Sequence, residues 1–189
     1  VRLAYTHAWG AQNVMVGALA INASVVPLDA NNFPVFAATT NYKDAGIDAQ
    51  YQYLLDPHTV TAQMRFIHER IDDDTQILYS APATLNSFKL KGSYVYRAMY
   101  GASLAYTNVS GSADALAYPS GVPNFGSEAN VPNTVMWTPE IFWLPIQNVR
   151  LGLQYNYFTR FNGASTNYDG NGRNAKDNNT TFLYAWVAF

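Results

Sequence analysis

The chain has 189 residues, of which 49% are hydrophobic, 15% aromatic and only 13% charged, about half of the ~25% charged residues usual in a soluble domain. A net charge of −2 gives no basic footprint for nucleic acid, and the absence of Cys excludes disulfides, thiolate metal sites and covalent haem attachment within the chain. No run of about 18 apolar residues occurs, which excludes a transmembrane helix and leaves strands as the one way this chain could cross a bilayer.

Period-2 alternation of apolar and polar residues recurs along the chain and predicts nine strands. The first covers 1–9 and turns at Gly10-Ala11-Gln12-Asn13 into the second, 14–26. A long loop, 27–42, carries Phe33 and Phe36. The third strand, 43–55, sets Ala45, Ile47, Ala49, Tyr51, Tyr53 and Leu55 against Asp44, Gly46, Asp48, Gln50 and Gln52. Asp56-Pro57-His58 turns it into the fourth, 59–70, and a longer connection, 71–85, opens with Asp72-Asp73-Asp74. In the fifth, 86–97, Phe88, Leu90, Gly92, Tyr94 and Tyr96 alternate with Lys89, Lys91, Ser93, Val95 and Arg97. A tight turn around Arg97 to Met99 leads to the sixth, 100–109, and then to an irregular loop, 110–134, with Pro119, Pro123 and Pro132. The seventh, 135–144, turns at Pro145-Ile146-Gln147-Asn148 into the eighth, 149–160. There Val149, Leu151, Leu153, Tyr155 and Tyr157 oppose Arg150, Gly152, Gln154 and Asn156. A last loop, 161–178, precedes the ninth strand, 179–189.

Short turns and long loops therefore alternate along the chain. That is the pattern of an outer-membrane β-barrel, with short turns on the periplasmic side and long loops outside. The expected fold is all-β: a transmembrane antiparallel up-and-down barrel, with residues 1–189 forming a single barrel region. With the C-terminus periplasmic, counting back makes the first strand descend from outside. Single-chain bacterial barrels have even strand numbers and start in the periplasm, so the chain is expected to be the C-terminal portion of a larger barrel.

In such a wall the apolar face meets lipid and the polar face lines the lumen. Arg65, Lys89, Lys91, Arg150, Asp48 and Gln154 are the candidate pore-lining residues, together with Arg2, Asp44, Gln50, Gln63, Glu69 and Asn156. Arg65, Lys89, Lys91 and Arg150 form a candidate cationic stripe, and a stripe of one sign is what sets pore selectivity. Trp9, Trp137, Trp143 and Trp186, with Tyr53, Tyr96 and Tyr100, fall near strand ends, as expected of aromatic girdles at the two interfaces. Small residues on the apolar side, Gly92, Ala45 and Ala49, leave room for close contact in a homotrimer.

The chain ends on Phe189, preceded at every second position by Val187, Ala185 and Leu183. This resembles the C-terminal strand signal by which assembly machinery recognises outer-membrane barrels. The loop from Phe161 and the strand through Phe189 resemble the C-terminal end of porin-like proteins of Gram-negative bacteria, most clearly over roughly the last 50 residues. The resemblance implies a barrel in the bacterial outer membrane, in contact with lipid bilayer and lipopolysaccharide and folded by the barrel-assembly machinery. It implies little about cargo.

Signals for chemistry are sparse. Asp169, Asn171 and Asp177 offer oxygens to a cation, but an EF-hand loop from Asp169 needs Gly and Glu where Asn174 and Thr180 stand. Asp72-Asp73-Asp74 near His68 suggests an acidic rim that could bridge lipopolysaccharide phosphates through a divalent ion, yet an omptin-like protease needs a second Asp pair that is not visible. His7, His58 and His68 have no metal-ligand spacing, and no Ser sits in Gly-X-Ser-X-Gly. No catalytic residue and no cofactor are expected. The expected function is a porin or channel for passive diffusion of small hydrophilic solutes or ions. The competing expectation is a scaffold barrel holding a partner protein, such as a cytochrome in an electron conduit, with a barrel enzyme third.

Overall fold

Nine antiparallel strands form one sheet in the computed structural model, which describes residues 1–28, 32–36, 39–74 and 76–188. They are β1 (Arg2–Trp9), β2 (Gln12–Val25), β3 (Thr40–Leu55), β4 (His58–Asp73), β5 (Ala83–Tyr96), β6 (Tyr100–Gly111), β7 (Thr134–Trp143), β8 (Val149–Arg160) and β9 (Thr180–Val187). Each strand pairs with the next in sequence, so the sheet is an up-and-down meander without crossovers. It is open, with β1 and β9 as its edges, and is consistent with part of a barrel. Among the described residues one turn of 3-10 helix, Ala175–Asn178, is the sole helical element, and no helix is long and apolar enough to cross a membrane.

The register assigns every side chain to one of two faces, because direct cross-strand partners share a face and neighbours along a strand alternate. One row runs Gln12, Tyr53, Val60, Tyr94, Ala102, Ile141, Leu153, Leu183 across β2 to β9. The row is continuous with Trp9 on β1, at the turn end of that strand, yet reaches β9 four residues short of Val187. This stagger is how a sheet accommodates strands tilted to a common axis.

On the face of that row the chemistry is banded. From Val14 to Ala20, Tyr53 to Ala45, Val60 to Phe66, Tyr96 to Phe88, Tyr100 to Tyr106, Trp143 to Trp137, Leu151 to Tyr157 and Val187 to Leu183, none of the alternate side chains is charged. Toward the long loops the same face turns polar, at Asn41, Lys43, His68, Arg70, Asn86, Thr84, Asn108 and Ser110. Five alternate residues of β5 cover about 26 Å of strand at ~3.3 Å per residue. At the usual tilt of ~40° that is about 20 Å of height, and the rings at either end extend it toward the ~25 Å apolar band of a spanning barrel.

Both margins of the band are aromatic. Trp9, Tyr53, Tyr94, Tyr96, Tyr100 and Trp143 stand at the short-turn end, and Phe66, Phe88, Tyr106, Trp137 and Tyr157 at the loop end. Tyr106 contacts Trp137 with ring centroids 4.8 Å apart, and the Tyr94 hydroxyl is 2.7 Å from His58 Nδ1. Trp186 departs from the girdle expectation. It is the direct partner of Arg150 and so belongs to the opposite face.

No second layer covers the apolar face among the described residues. Leu104 is 49% exposed, Ile141 62% and Leu183 84%, while among the described residues the buried hydrophobic ones number only six: Ile71, Ala83, Ala105, Phe142, Tyr168 and Ala175. Leaving one large aliphatic or aromatic side chain in water forfeits roughly 1.5–3 kcal/mol of burial. A two-sheet sandwich would hide this face; a single sheet does not.

On the opposite face, at the short-turn end, glycines and aromatics alternate across four strands: Gly101, Phe142, Gly152, Tyr184. A Cβ at Gly101 would fall inside the Phe142 ring, and one at Gly152 would strike Tyr184. The glycines are gaps that let each ring lie flat across its neighbour. Gly152→Ala and Gly101→Ala are each expected to destabilise the protein by about 1–3 kcal/mol through overpacking, read as a lower urea midpoint of Trp fluorescence. Gly92→Ala, whose added Cβ meets nothing within 4 Å, is expected to leave the midpoint unchanged.

Candidate functional site

The candidate pore-lining residues all lie on the face opposite the apolar band. Asp48, Arg65 and Lys89 form one cross-strand row, Gln50, Gln63 and Lys91 the next toward the short turns, and Gln154 pairs with Glu140. Asp44 and Glu69 oppose each other nearer the long loops. Phe189 lies outside the described residues; Leu183, Ala185 and Val187 pair with Leu153, Leu151 and Val149 on the apolar face.

Two ion-pair centres organise the charged face. In the first, Arg2 on β1 reaches across β2 to Asp48 on β3, with Nη2 2.7 Å and Nε 3.0 Å from the carboxylate oxygens. Gly17 on the intervening strand makes this reach feasible, since a Cβ there would lie 2.8 Å from Asp48 Oδ1 and 3.2 Å from Arg2 Nη2. The bidentate fork of arginine suits a carboxylate, and its consequence is local. Asp48, the direct cross-strand partner of Arg65, is held by Arg2 instead.

The second centre is Glu140, with a side chain only 5% exposed. It accepts from Arg150 Nη2 at 2.6 Å, from Ser103 Oγ at 2.6 Å and from the Tyr184 hydroxyl, and Lys91 Nζ stands 3.4 Å away. Arg150 donates a further bond from Nε to the Tyr184 oxygen at 2.9 Å and lies 3.6 Å from the centroid of the Phe142 ring. Five strands, β5 to β9, thus converge on one carboxylate. Neither Glu140, Ser103 nor Tyr184 is in the candidate set drawn from sequence. Strand parity alone puts Glu140 on the polar side of 135–144, but nothing local says that it gathers partners 10, 37, 44 and 49 residues away.

At the long-loop end the connections bind each other. Ser127 Oγ donates to the Asn162 carbonyl at 2.8 Å, Glu128 N to the Tyr168 carbonyl at 2.7 Å, and Tyr168 is fully buried. Arg173 donates to Asn124, joining 112–133 to 161–179 again. Asp114 accepts from Ser80 N and Oγ at 2.7 and 2.8 Å, which ties in the 74–82 connection. None of these bonds reaches the row of Arg65 and Lys89. Phe33, Phe36 and Phe125 remain exposed at this end.

Asp169, Asn171 and Asp177 do not assemble as a cation site. Asp169, 2% exposed, turns its carboxylate to the backbone N–H groups of Asn171, Asn124 and Arg173, and Asp177 caps the 3-10 turn through Asn174 N. A carboxylate ringed by N–H donors has its charge already solvated by the chain. Asp73 likewise accepts from Leu78 N and Tyr79 N, and His68 projects from the apolar-face side to Asn86, away from it. Among the described residues no three His, Cys, Asp or Glu side chains gather as metal ligands.

No protein family, curated protein or solved structure matches this chain.

Two predictions arise from these centres. Glu140→Gln leaves Arg150 and Lys91 without their counter-charge and is expected to cost about 1–3 kcal/mol, measured by urea unfolding, whereas Gln154→Ala beside it is expected to cost less than half as much. The second concerns acid. Burial pushes the Asp114 and Asp169 carboxyls up, but amide and hydroxyl donors outweigh it, so both sit below the ordinary 3.8. A depressed folded value stabilises the loops above the unfolded pKa and is lost as pH falls through the folded one. Hydrogen exchange at Leu116, Ala117, Asn124 and Asn171 is therefore expected to stay protected down to about pH 4 and to lose protection below it; loss of protection between pH 8 and 6 would contradict this.

Proposed function

We propose that this chain forms the wall of an outer-membrane β-barrel, of porin-like type, that admits small hydrophilic solutes and ions by passive diffusion. The observation that carries the proposal is the two-faced sheet. One face presents a charge-free band margined by aromatic rings and left uncovered, and the other presents charged and amide side chains along the same strands. An apolar outside and a polar inside are what a bilayer and a water-filled lumen select. The short-turn and long-loop ends differ as they do in such barrels, and the interlocked loops 112–133 and 161–179 give the long-loop end a firm rim.

The charged face argues for water rather than chemistry. Its carboxylates Asp48 and Glu140 are engaged by cations, Asp44 and Glu69 oppose each other nearer the loops, and the hydrogen bonds of His58 to Tyr94 and of His68 to Asn86 lie on the other face. A wall of this kind acts on a solute by its size and charge.

Reconstitution of the full-length protein into planar bilayers tests the reading. Stepwise single-channel conductance that scales with KCl concentration is expected. Correctly folded, heat-modifiable protein that inserts but never conducts would overturn it and favour a barrel whose lumen a partner protein fills.

A further inference from the structure

Around the Arg65–Lys89 row the cations outnumber the carboxylates within reach. Arg2, Arg65, Lys89 and Lys91 stand there with Asp48, while Glu140 lies four residues away toward the short turns and Asp44 and Glu69 four residues away toward the loops. Two of these carboxylates are committed, Asp48 to Arg2 and Glu140 to Arg150 and Lys91. Arg65 and Lys89 are direct cross-strand partners, and among the described residues neither has a carboxylate within ion-pair distance.

Like charges directly opposite each other on a sheet destabilise it. Such a pair is costly unless something negative lies between the two groups. The groups around it are shaped for that. Arg65 and Lys89 line a cavity of about 610 Å³ with Arg2, Gln50, Gln63 and Lys91; Asp48 is the one carboxylate in its wall, and Arg2 holds both of its oxygens. Gln63 Nε2 donates to Gln50 Oε1 at 2.8 Å, which leaves the Gln50 amide N–H groups and the second Gln63 N–H as donors beside the cations. Asp44 and Glu69 lie four residues up the strands, about 13 Å away at ~3.3 Å per residue, beyond the ~8 Å screening length of physiological salt. The Gly17 gap completes the arrangement, because it lets Arg2 occupy both oxygens of Asp48, so that Arg65 makes no ion pair with its direct cross-strand partner.

We propose that the cavity framed by Arg65, Lys89, Lys91 and the Gln50–Gln63 pair is a binding site for small hydrophilic anions, carboxylates or oxyanions, on the solute path. Arg65 supplies a planar fork that matches two oxygens of such an anion, and Lys89 a compact charge on its other side. The site gives the pore a preference for anions although the chain as a whole is net negative. Its role in passage rests on the pore reading above; the binding itself does not.

The test separates the two. Sulfate is titrated calorimetrically into the full-length protein in detergent micelles, and reversal potentials are measured in a KCl gradient across planar bilayers. Wild type is expected to bind sulfate and to prefer chloride over potassium. Arg65→Gln/Lys89→Gln is expected to weaken sulfate binding at least 10-fold and to move the reversal potential toward potassium. Because it removes a like-charge pair, the variant is expected to fold at least as well as wild type. Lys43→Gln, on the other face near the loops, is expected to change neither readout. A channel that conducts yet prefers potassium, or whose sulfate affinity ignores the double substitution, overturns the anion site and leaves the pore reading standing. Sulfate binding that is lost in the double variant, in a protein that never conducts, supports the site and overturns the pore reading.

Discussion

Everything in this molecule follows from one constraint: a continuous antiparallel ladder allots each residue to one of two faces, and the allotment separates charge from apolar surface across eight consecutive strand pairs. A slip of one residue in any pair would carry a strand's whole apolar set to the wrong side. A charge-free set on β5, for instance, requires Leu90 to meet Met64 on β4 and Tyr106 on β6, which it does. The ladder also satisfies the backbone from strand to strand, which a wall in hydrocarbon requires. The edges, β1 and β9, are where that satisfaction is incomplete among the described strands.

The charged face has a second layer of organisation. Ion pairs there do not follow the ladder's direct partners. Two of them step over an intervening strand, Arg2 across Gly17 and Lys91 across Ser103 and Ala105, to reach carboxylates two strands away, while Arg150 reaches Glu140 on the adjacent strand. Each of the two longer bridges clamps three strands, and the Glu140 centre clamps five. Small residues on the strands between are the condition for this, as glycines are for the rings of Phe142 and Tyr184. The cross-strand clamping of the sheet and its charge pattern thus share one origin: where the sequence places side chains small enough to be crossed.

Most of the fold was legible in the sequence, because period-2 alternation is strong wherever one face is uniformly apolar. β8 was predicted at its observed bounds. The misses have a direction. β3, β4 and β5 run three residues further toward the loops than predicted, since beyond the band its face turns polar, at Asn41, Asp72 and Thr84 for example, while Ile71 and Ala83 put apolar residues on the other face and the alternation loses its sense. There the hydropathy signal ends while the hydrogen bonding continues. Trp186 was placed in a girdle by residue type and not by parity, and parity puts it beside Arg150. The candidate pore-lining set fell on one face because alternation is a local property. Its wiring was not legible, because Glu140's partners are distant in sequence and the choice of Arg2 over Arg65 by Asp48 depends on one glycine.

The central claim is that the apolar face meets hydrocarbon while the charged face of the same strands meets water. Spin labels placed one at a time from residue 86 to 96 of the reconstituted full-length protein, with collision rates measured for oxygen and for a water-soluble nickel chelate, test it most directly. The account predicts oscillation with a period of two and opposite phase: oxygen access high at 88, 90, 92 and 94, and nickel access high at 89, 91 and 93. Nickel access equal on both sets, or oxygen maxima at the lysine positions, would contradict it.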